Sequence, residues 1–240
     1  MLENIKIGNI LFLDIETVPA WSDYIEMPEN FKHLWDKKSV YFRKNEETAA
    51  NVYQRAGIYA EFGKIVCIST GFVTENNYRK SLRIKSFWGD DEKIFLTEFA
   101  TMVNKFFSSD YHFLCAHNGK EFDFPYIARR MLINNIKVPK PFDLAGKKSW
   151  EVKHLDTLEL WKFGDYKHFT SLELLSAVFG IPTSKDDIDG SQVAEVYYKE
   201  NDLKRIVKYC QKDVINIVQL FLKYRCQNLI DENDIILIDG

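Results

Sequence analysis

The 240-residue sequence has no uninterrupted apolar run long enough to cross a membrane, since its longest runs, near residue 10, have only the length of a strand. Its N-terminus, MLENIKIGN, also lacks the basic region followed by an apolar stretch that marks a secretory signal. From these two absences we expect a soluble, cytoplasmic protein that does not contact membranes.

Cysteine is scarce as well. The chain contains four, which are Cys67, Cys115, Cys210 and Cys226. They form neither a CxxC pair nor a zinc-binding spacing, and this favours reduced, mostly buried thiols over disulfides or a zinc site.

Positive charge is not in excess. The 32 Lys and Arg residues are outnumbered by 35 Asp and Glu residues, which gives a net charge of -3. A protein that coats nucleic acid by bulk electrostatic attraction is usually strongly basic, so this class is excluded. A nuclease that grips only a few nucleotides is compatible with the balance, because metal-binding acids lower the net charge around a locally positive groove.

The sequence does contain enough apolar side chains for a large core. Hydrophobic residues make up 46% of the chain, and with so small a net charge this excludes a disordered protein. The length suits one α/β domain, and no repeat or low-complexity linker divides it. We therefore predict a single domain over residues 1–240.

Strands are predicted mainly early in the chain and helices mainly late, which is typical of an α/β fold. Apolar and alternating runs predict strands at 5–15, 63–73, 78–89 and 111–116. Helical periodicity and capping residues predict helices from 90 or 91 to 107 and at 122–134, 171–179, 191–199 and 202–226. Between the first two strands, residues 21–62 mix aromatic and charged residues with helical periodicity, which predicts a helical insertion.

The first candidate functional cluster is the acidic pair Asp14 and Glu16, at the end of the strand predicted at 5–15. Because side chains alternate along a strand, residues two apart project from the same face. Two carboxylates this close repel each other unless a cation neutralises them or one of them is protonated. An acidic strand end in solvent is the simpler interpretation, but the apolar run before the pair favours a central strand.

The second cluster, HNGKEFDFP at 117–125, directly follows the strand predicted at 111–116. Asp123 stands where this strand gives way to a helix, and Pro125 suits the first helical turn. Capping of the helix by Asp123 is one interpretation, and it is compatible with metal binding.

The third cluster is Tyr209 and Asp213 in KYCQKD. Four residues apart on the helix predicted at 202–226, they share a face. At about 100° per residue, both lie beside the buried stripe of this helix, whereas Lys208 and Lys212 point away. The two residues are therefore placed to face a cleft, although a Tyr and an Asp at an ordinary helix boundary fit the same pattern.

Together, the three clusters resemble the motifs of the DEDD 3′–5′ exonuclease superfamily. In order they are DIET with Asp14 and Glu16, HNGKEFDFP with Asp123, and YCQKD with Tyr209 and Asp213. The tyrosine four residues before the last aspartate, in place of a histidine five before it, marks the tyrosine subclass. The chain resembles above all the proofreading exonuclease domain of family-B DNA polymerases, in the form of bacterial stand-alone proteins similar to that domain.

The resemblance covers about residues 10–227 and implies an α/β, RNase H-like fold with a mixed, mostly five-stranded sheet flanked by helices. It implies an enzyme that hydrolyses phosphodiester bonds at the 3′ end of single-stranded DNA with two divalent ions, Mg²⁺ or Mn²⁺. Four carboxylates without clustered Cys or His agree with these oxygen-preferring ions and argue against zinc. No polymerase domain is expected in the same chain.

The resemblance also implies a role for each matched residue. Asp14 would bridge the two ions, and Asp123 would hold one of them, partly through water. Glu16 and Asp213 would complete the other ion site, on the side of the attacking water. Tyr209 would orient this water with help from Glu16.

Further candidates for substrate binding are Thr17, Asn118, Phe122 and Lys185. Thr17 ends the motif DIET, and Asn118 would either fix the substrate end or support the metal ligands. Phe122 would either pack in the core or stack on a terminal base. Lys185 belongs to an acidic run at 184–190 that is most simply a solvated loop, but the resemblance puts this loop on the substrate side, where the lysine would meet a phosphate.

Asp156 in HLDTLELW is a further acid with a different interpretation. Glu159 follows it by three residues, and this spacing is typical of a helix start. We therefore predict that Asp156 caps a helix and takes no part in catalysis.

Two other functions stay open. One is a ribonuclease, since the tyrosine subclass includes RNase D-like enzymes and discrimination between the sugars depends on contacts near the 2′ position. The other is a nucleic-acid-binding module without catalysis, although inactive relatives usually lack one or more of the acids and all four are present here. We expect single-stranded nucleic acid as the partner, with DNA favoured over RNA, and the sequence identifies no protein partner.

Overall fold

A six-stranded mixed sheet forms the centre of the structure, a computed structural model that describes residues 2–77, 79–165, 169–182 and 188–238. Its strands are β1 Ile10–Pro19, β2 Gly63–Asn76, β3 Arg79–Trp88, β4 Phe113–Ala116, β5 Leu155–Asp156 and β6 Ile235–Ile238. Across the sheet their order is β5-β4-β1-β2-β3-β6. The pairs β1–β2 and β2–β3 are antiparallel, whereas β1–β4, β4–β5 and β3–β6 are parallel.

This topology confirms the expected α/β, RNase H-like fold. An antiparallel meander, β1 to β3, continues on its β1 side into the parallel strands β4 and β5. The sixth strand, β6, adds an edge to the five strands that the resemblance implies. The sequence analysis predicted neither β5, whose two residues are too few for an alternating pattern, nor β6, an apolar run of four residues that is mostly exposed.

Helices cover both faces of the sheet. They are α1 Glu29–Ser39, α2 Glu92–Phe106, α3 Asp123–Ile133, α4 Thr157–Lys162, α5 Leu172–Val178, α6 Val193–Glu195 and α7 Leu203–Tyr224. The side chains of Asp91, Ser171 and Asp202 accept hydrogen bonds from backbone N–H groups at the starts of α2, α5 and α7, which confirms the predicted helix starts. Within the described ranges, no helix is long and apolar enough to span a membrane.

Two predicted boundaries are wrong. The first strand begins at Ile10 instead of residue 5, because residues 7–9 form a 3₁₀ turn, and it continues to Pro19. The acidic pair therefore lies within the strand and not at its end. The helix predicted at 191–199 is α-helical only in α6 and continues as a π-helix at Val196–Glu200.

Residues 21–62 lie between β1 and β2, where a helical insertion is predicted, but only α1 within them is α-helical. Two 3₁₀ helices, Tyr24–Glu26 and Tyr53–Ile58, accompany it around an aromatic cluster centred on Trp35. Trp35 is completely buried, and its indole N–H donates to the Ala49 carbonyl at 2.9 Å. Packing of aromatic rings, more than helical periodicity, thus organises this segment.

β1 is held between two helical layers because its apolar residues alternate between its faces. Leu11, Leu13 and Ile15 belong to the core cluster that includes α2 and α3. On the other face, Phe12 packs with α7, where its ring meets that of Phe221 edge-to-face at 5.4 Å. The strand is therefore fixed on both sides up to the residues that carry the acids.

A buried ion pair fixes α3 against α2 and the sheet. Arg130 of α3 contacts Glu92 of α2 at 2.6 Å and also donates to the Ala60 carbonyl at 2.8 Å. Glu92 in turn accepts a hydrogen bond from the Ile65 backbone N–H at 2.7 Å. Because both charges are partnered, the pair can be buried without leaving an isolated ion. It ties α3, and with it Asp123, to the sheet.

Candidate active site

Asp14 and Glu16 lie on the face of β1 that α7 covers. The Asp14 carboxylate contacts Cys210 of α7, and Glu16, which is 7% exposed, stands opposite Cys67 of β2. A β-bulge follows directly, where the pairing register shifts between Glu16 and Thr17. Bulges of this kind bend a strand and are common beside active sites. The two acids therefore project together from a strand that turns away just after them.

Asp123 is the first residue of α3 and is 2% exposed. It does not cap the helix, because Phe122 occupies the N-cap position and makes no side-chain capping bond. Among the described residues, its Oδ1 atom is buried without a hydrogen-bond partner. Burial raises the pKa of Asp123 to about 8, although hydrogen bonds from its own backbone and from Ile15 lower it. A buried carboxylate oxygen without a partner is costly and indicates a missing ligand.

Tyr209 and Asp213 are both half-buried on α7, one helical turn apart, while Lys208 is exposed. The Tyr209 hydroxyl lies close enough to Asp213, Glu16 and Asp14 for their charges to act on it. Burial, followed by the charges of Asp213 and Glu16, raises the pKa of Tyr209 well above its usual range. Tyr209 therefore stays protonated at neutral pH and acts through its hydrogen bonds.

The carboxylates from β1, α3 and α7 are close enough to affect one another. Burial is the largest cause that raises the pKa of Asp14, and the charges of the other three acids raise it further. Burial also raises the pKa of Glu16, followed by the charge of Asp213. The structure thus brings together all four acids that the sequence analysis singled out, from three separate elements.

This arrangement fits a divalent cation. A dication would relieve the repulsion between the carboxylates and provide the partner that Asp123 Oδ1 lacks. Asp14 and Glu16 present oxygens close enough to share one ion, and Asp123 and Asp213 lie near enough for their charges to act on Asp14. Their oxygen atoms are the ligand type that hard cations prefer.

Cys210 is a residue of this site that the sequence analysis did not place there. One ligand atom each from Asp14, Glu16 and Cys210 lie within 4.8 Å of one another. The expectation that no cysteine clusters with the acids is therefore wrong. Helical spacing places Cys210 on the buried stripe of α7, but it does not show which residues of β1 this stripe packs against.

Asp156 caps α4, as predicted, and it also holds the loop that leads to Asp123. Its carboxylate accepts backbone hydrogen bonds from α4 at Leu158 and Glu159, and from the loop at Asn118 (2.9 Å) and Lys120 (3.1 Å). Asp156 is 4% exposed, so these bonds are made in a buried environment. One carboxylate thus fixes the second cluster to the end of β5.

Two side-chain contacts reinforce this connection. Lys120 forms an ion pair with Glu159 of α4 at 2.6 Å. The His117 ring is held at both nitrogens, at 2.9 Å from the Thr157 hydroxyl and 3.0 Å from the Thr170 carbonyl. The loop between β4 and α3 is therefore anchored at several points to the segment after β5.

The candidate substrate-binding residues lie around the acids with different exposures. Thr17 is half-buried and follows the bulge, near Tyr126 of α3. Asn118 adopts a left-handed backbone conformation with φ of 66°. The half-buried Phe122 ring contacts Tyr126 at 5.4 Å and packs against the core cluster, so its predicted core packing is seen while base stacking stays a prediction. Lys185 lies outside the described residues.

The metal-free protein should lose stability as the pH rises. Because the pKa of Asp123 is raised to about 8 on folding, the folded state binds more protons than the unfolded chain above about pH 4, so stability falls from there to about pH 8. In EDTA, we expect the melting temperature to fall across this range. The slope should be smaller in Asp123→Asn and unchanged in Asp143→Asn, an exposed aspartate. A flat profile in the unmodified protein would contradict the prediction.

Asp156→Asn should weaken metal binding without removing the helix cap. The amide keeps one oxygen for α4 and Asn118 but places an N–H₂ group against the Lys120 N–H, a mismatch that costs about 1–3 kcal/mol. We expect the Mn²⁺ concentration needed for half-maximal thermal stabilisation to rise ~10–100-fold, as for other residues that orient metal ligands. Asp91→Asn, which alters the cap of α2, is the control. Equal midpoints in the two variants would show that Asp156 acts only as a cap.

Most of the chain matches one protein family. Residues 58–234 match a protein family described as "Predicted 3'-5' exonuclease related to the exonuclease domain of PolB". The match includes Asp123, Tyr209 and Asp213, whereas Asp14 and Glu16 precede it. Among solved structures, the chain is similar to the family B DNA polymerase from the hyperthermophilic archaeon Pyrobaculum calidifontis, with 15% identity and a TM-score of 0.49. The similarity covers 89% of this chain but only 24% of the polymerase chain.

The matched range spans well over half of the sequence, and it confirms the resemblance to the exonuclease domain of family-B DNA polymerases. Exonuclease domains of this kind use divalent metals and act on nucleic acid. The chain belongs to the family of predicted 3′–5′ exonucleases related to the exonuclease domain of PolB.

Proposed function

We propose that this protein removes nucleotides from the 3′ end of single-stranded DNA by a two-metal mechanism that uses Mg²⁺ or Mn²⁺. The observation that carries the proposal is the meeting of four carboxylates, one of which has a buried oxygen without a partner among the described residues. Paired carboxylates of this kind suit phosphodiester hydrolysis, which needs a nucleophile at neutral pH and neutralisation of the leaving oxygen. Membership in the exonuclease family supplies the polarity of the reaction.

Asp14, Glu16, Asp123 and Asp213 would hold the ions. When bound there, a pair of divalent ions supplies a water of lowered pKa and stabilises the charge on the leaving 3′ oxygen. The carboxylate oxygens favour Mg²⁺ or Mn²⁺ over softer ions. The raised pKa values of Asp14 and Glu16 mean that ion binding and proton release are coupled in this site.

Tyr209 would orient the attacking water. Its hydroxyl lies beside Asp213 and close enough to Glu16 to feel that carboxylate's charge. Because its pKa is raised, the hydroxyl remains a neutral hydrogen-bonding group and does not serve as the base. Its contribution is therefore the position of the water relative to the phosphorus atom.

The substrate would reach the acids past Thr17, Asn118 and Phe122. Thr17 and Asn118 offer hydrogen-bonding groups beside the bulge and the anchored loop, and the half-buried Phe122 ring offers a surface for stacking of a terminal base. Lys185 is proposed as a phosphate contact on the sequence alone. These contacts would hold the 3′ end so that the last phosphodiester lies over the carboxylates.

Cleavage of labelled oligonucleotides tests the reaction class. A 5′-labelled DNA strand should shorten from its 3′ end and release mononucleotides with Mg²⁺ or Mn²⁺, but not in EDTA. Ca²⁺ should support binding with little turnover, because its larger and looser coordination holds two ions poorly in one compact site. The cleavage rate of an RNA strand of the same sequence shows whether the protein prefers DNA or RNA.

Four outcomes would contradict this proposal. Undiminished cleavage in excess EDTA would exclude metal dependence, and immediate release of the 5′ label as a mononucleotide would reverse the polarity. Faster cleavage of the RNA strand would make the protein an exoribonuclease instead. If the protein binds the oligonucleotides but cleaves none of them, it is a non-catalytic nucleic-acid-binding module.

Tyr209→Phe and Asp213→Ala should separate orientation of the water from metal binding. Asp213→Ala removes a proposed ligand, so cleavage should nearly vanish at ordinary Mg²⁺ concentrations. Tyr209→Phe removes one positioning hydrogen bond, which costs on the order of 10²-fold or less, and should leave the metal requirement unchanged. Both variants should bind a single-stranded oligonucleotide about as well as the unmodified protein when no chemistry is allowed.

Single-turnover cleavage with a Mg²⁺ titration measures both effects. Tyr224→Phe is the matched control, since this tyrosine lies on the same helix and its hydroxyl bonds the Thr157 carbonyl, away from the acids. If Tyr209→Phe cleaves as fast as the control variant, the Tyr209 hydroxyl does not orient the water and the residue only packs. Near-normal cleavage by Asp213→Ala would mean that the site uses other acids.

A further inference from the structure

Cys210 introduces a sulfur atom into a cluster of oxygen ligands. Its Sγ atom lies 3.6 Å from Asp14 Oδ2 and 3.4 Å from the Asp14 carbonyl oxygen. With one oxygen each from Asp14 and Glu16 it forms a group of ligand atoms within 4.8 Å of one another. Ligands that share one ion at about 2.0–2.3 Å lie up to about 4.6 Å apart, so small side-chain shifts bring all three to a single ion.

A further acid lies near this group but outside it. Asp123 Oδ1 is buried without a hydrogen-bond partner among the described residues, and Asp123 itself is only 2% exposed. In addition to burial, its charge raises the pKa of Asp14, but its oxygens are not among the three ligand atoms that lie within 4.8 Å of one another. Two carboxylate oxygens and one sulfur supply the three protein ligands of a tetrahedral site whose fourth position is left to water.

We propose that Cys210, Asp14 and Glu16 form a binding site for thiophilic divalent cations, the class that includes Cd²⁺ and Zn²⁺. Mg²⁺ and Mn²⁺ gain little from a sulfur ligand, whereas Cd²⁺ and Zn²⁺ bind thiolates strongly. On binding, the S–H proton of Cys210 leaves to solvent and the sulfur forms a bond to the ion. The thiol thus adds to the acid cluster a ligand that soft ions bind strongly and that Mg²⁺ does not.

Occupation by a soft ion would inhibit the enzyme, a consequence that depends on the proposed function. The ion would use the same oxygens of Asp14 and Glu16 that the proposed Mg²⁺ site requires. It would therefore compete with Mg²⁺, and excess Mg²⁺ or a chelator should restore cleavage. The cation site itself does not depend on cleavage and can be measured without substrate.

Ultraviolet absorption tests the site directly, because a Cd²⁺–thiolate bond gives a charge-transfer band that carboxylates do not. The full chain carrying Cys226→Ser, which removes the exposed thiol, is titrated with Cd²⁺. We expect a band that saturates at one ion per chain. It should be lost when Cys210→Ser is added and retained when Cys115→Ser is added, since Cys115 is a buried thiol of β4.

The same variants are then compared in cleavage, each relative to its own rate in Mg²⁺. The Cd²⁺ concentration that halves cleavage should rise in Cys210→Ser by at least the ~10–100-fold that loss of even an outer partner costs a metal site. It should be unchanged in Cys115→Ser. Cys210→Ala provides a second variant if the serine is not tolerated, and the melting temperature in EDTA checks that each variant is folded.

The outcomes distinguish this inference from the proposed function. A charge-transfer band that persists in folded Cys210→Ser or Cys210→Ala overturns the inference, and so does the absence of any band in the Cys226→Ser protein. A band that depends on Cys210 supports the cation site even if no oligonucleotide is cleaved, in which case the proposed function fails alone. Normal cleavage without the band leaves the proposed function in place and removes the thiophilic site.

Discussion

Repulsion between four carboxylates is the constraint on which the rest of the site depends. Asp123 from α3 and Asp213 from α7 stand close enough to Asp14 and Glu16 of β1, in a largely buried setting, for their charges to raise the pKa of both. Without a cation, such a cluster lowers the free energy of unfolding, so the surrounding fold must stabilise it. The core clusters on both faces of β1 provide this support, and a bound dication would turn the repulsion into attraction.

The site is rigid because backbone contacts, and not only side chains, hold its parts. Asp156 accepts backbone hydrogen bonds from both the loop before α3 and the start of α4, which fixes the approach of Asp123. The ion pair of Arg130 and Glu92 fixes the far side of the same helix. Metal ligands must keep their positions to a fraction of an ångström, and this requirement explains why buried polar groups surround them.

The sequence predicted which functional residues share a face of one strand or helix better than it predicted the structure around them. Asp14 and Glu16 share a face because strand side chains alternate, and Tyr209 and Asp213 share one because helical residues four apart are neighbours. The starts of α2, α5 and α7 followed from their capping residues. The short strands β5 and β6 and the irregular segment at 21–62 did not follow, because pairing and aromatic packing, not local periodicity, decide them.

By itself, the sequence determined the fold class, the candidate acids and the family. These depend on local periodicity and on motifs that are recognisable in the sequence alone. Only the tertiary structure decided what lies around the acids. It brought Cys210 to Asp14, joined Asp156 to the loop before Asp123, and left one oxygen of Asp123 buried without a described partner. These contacts join residues up to 196 positions apart, and sequence spacing carries no information on which distant side chains a packed core brings together.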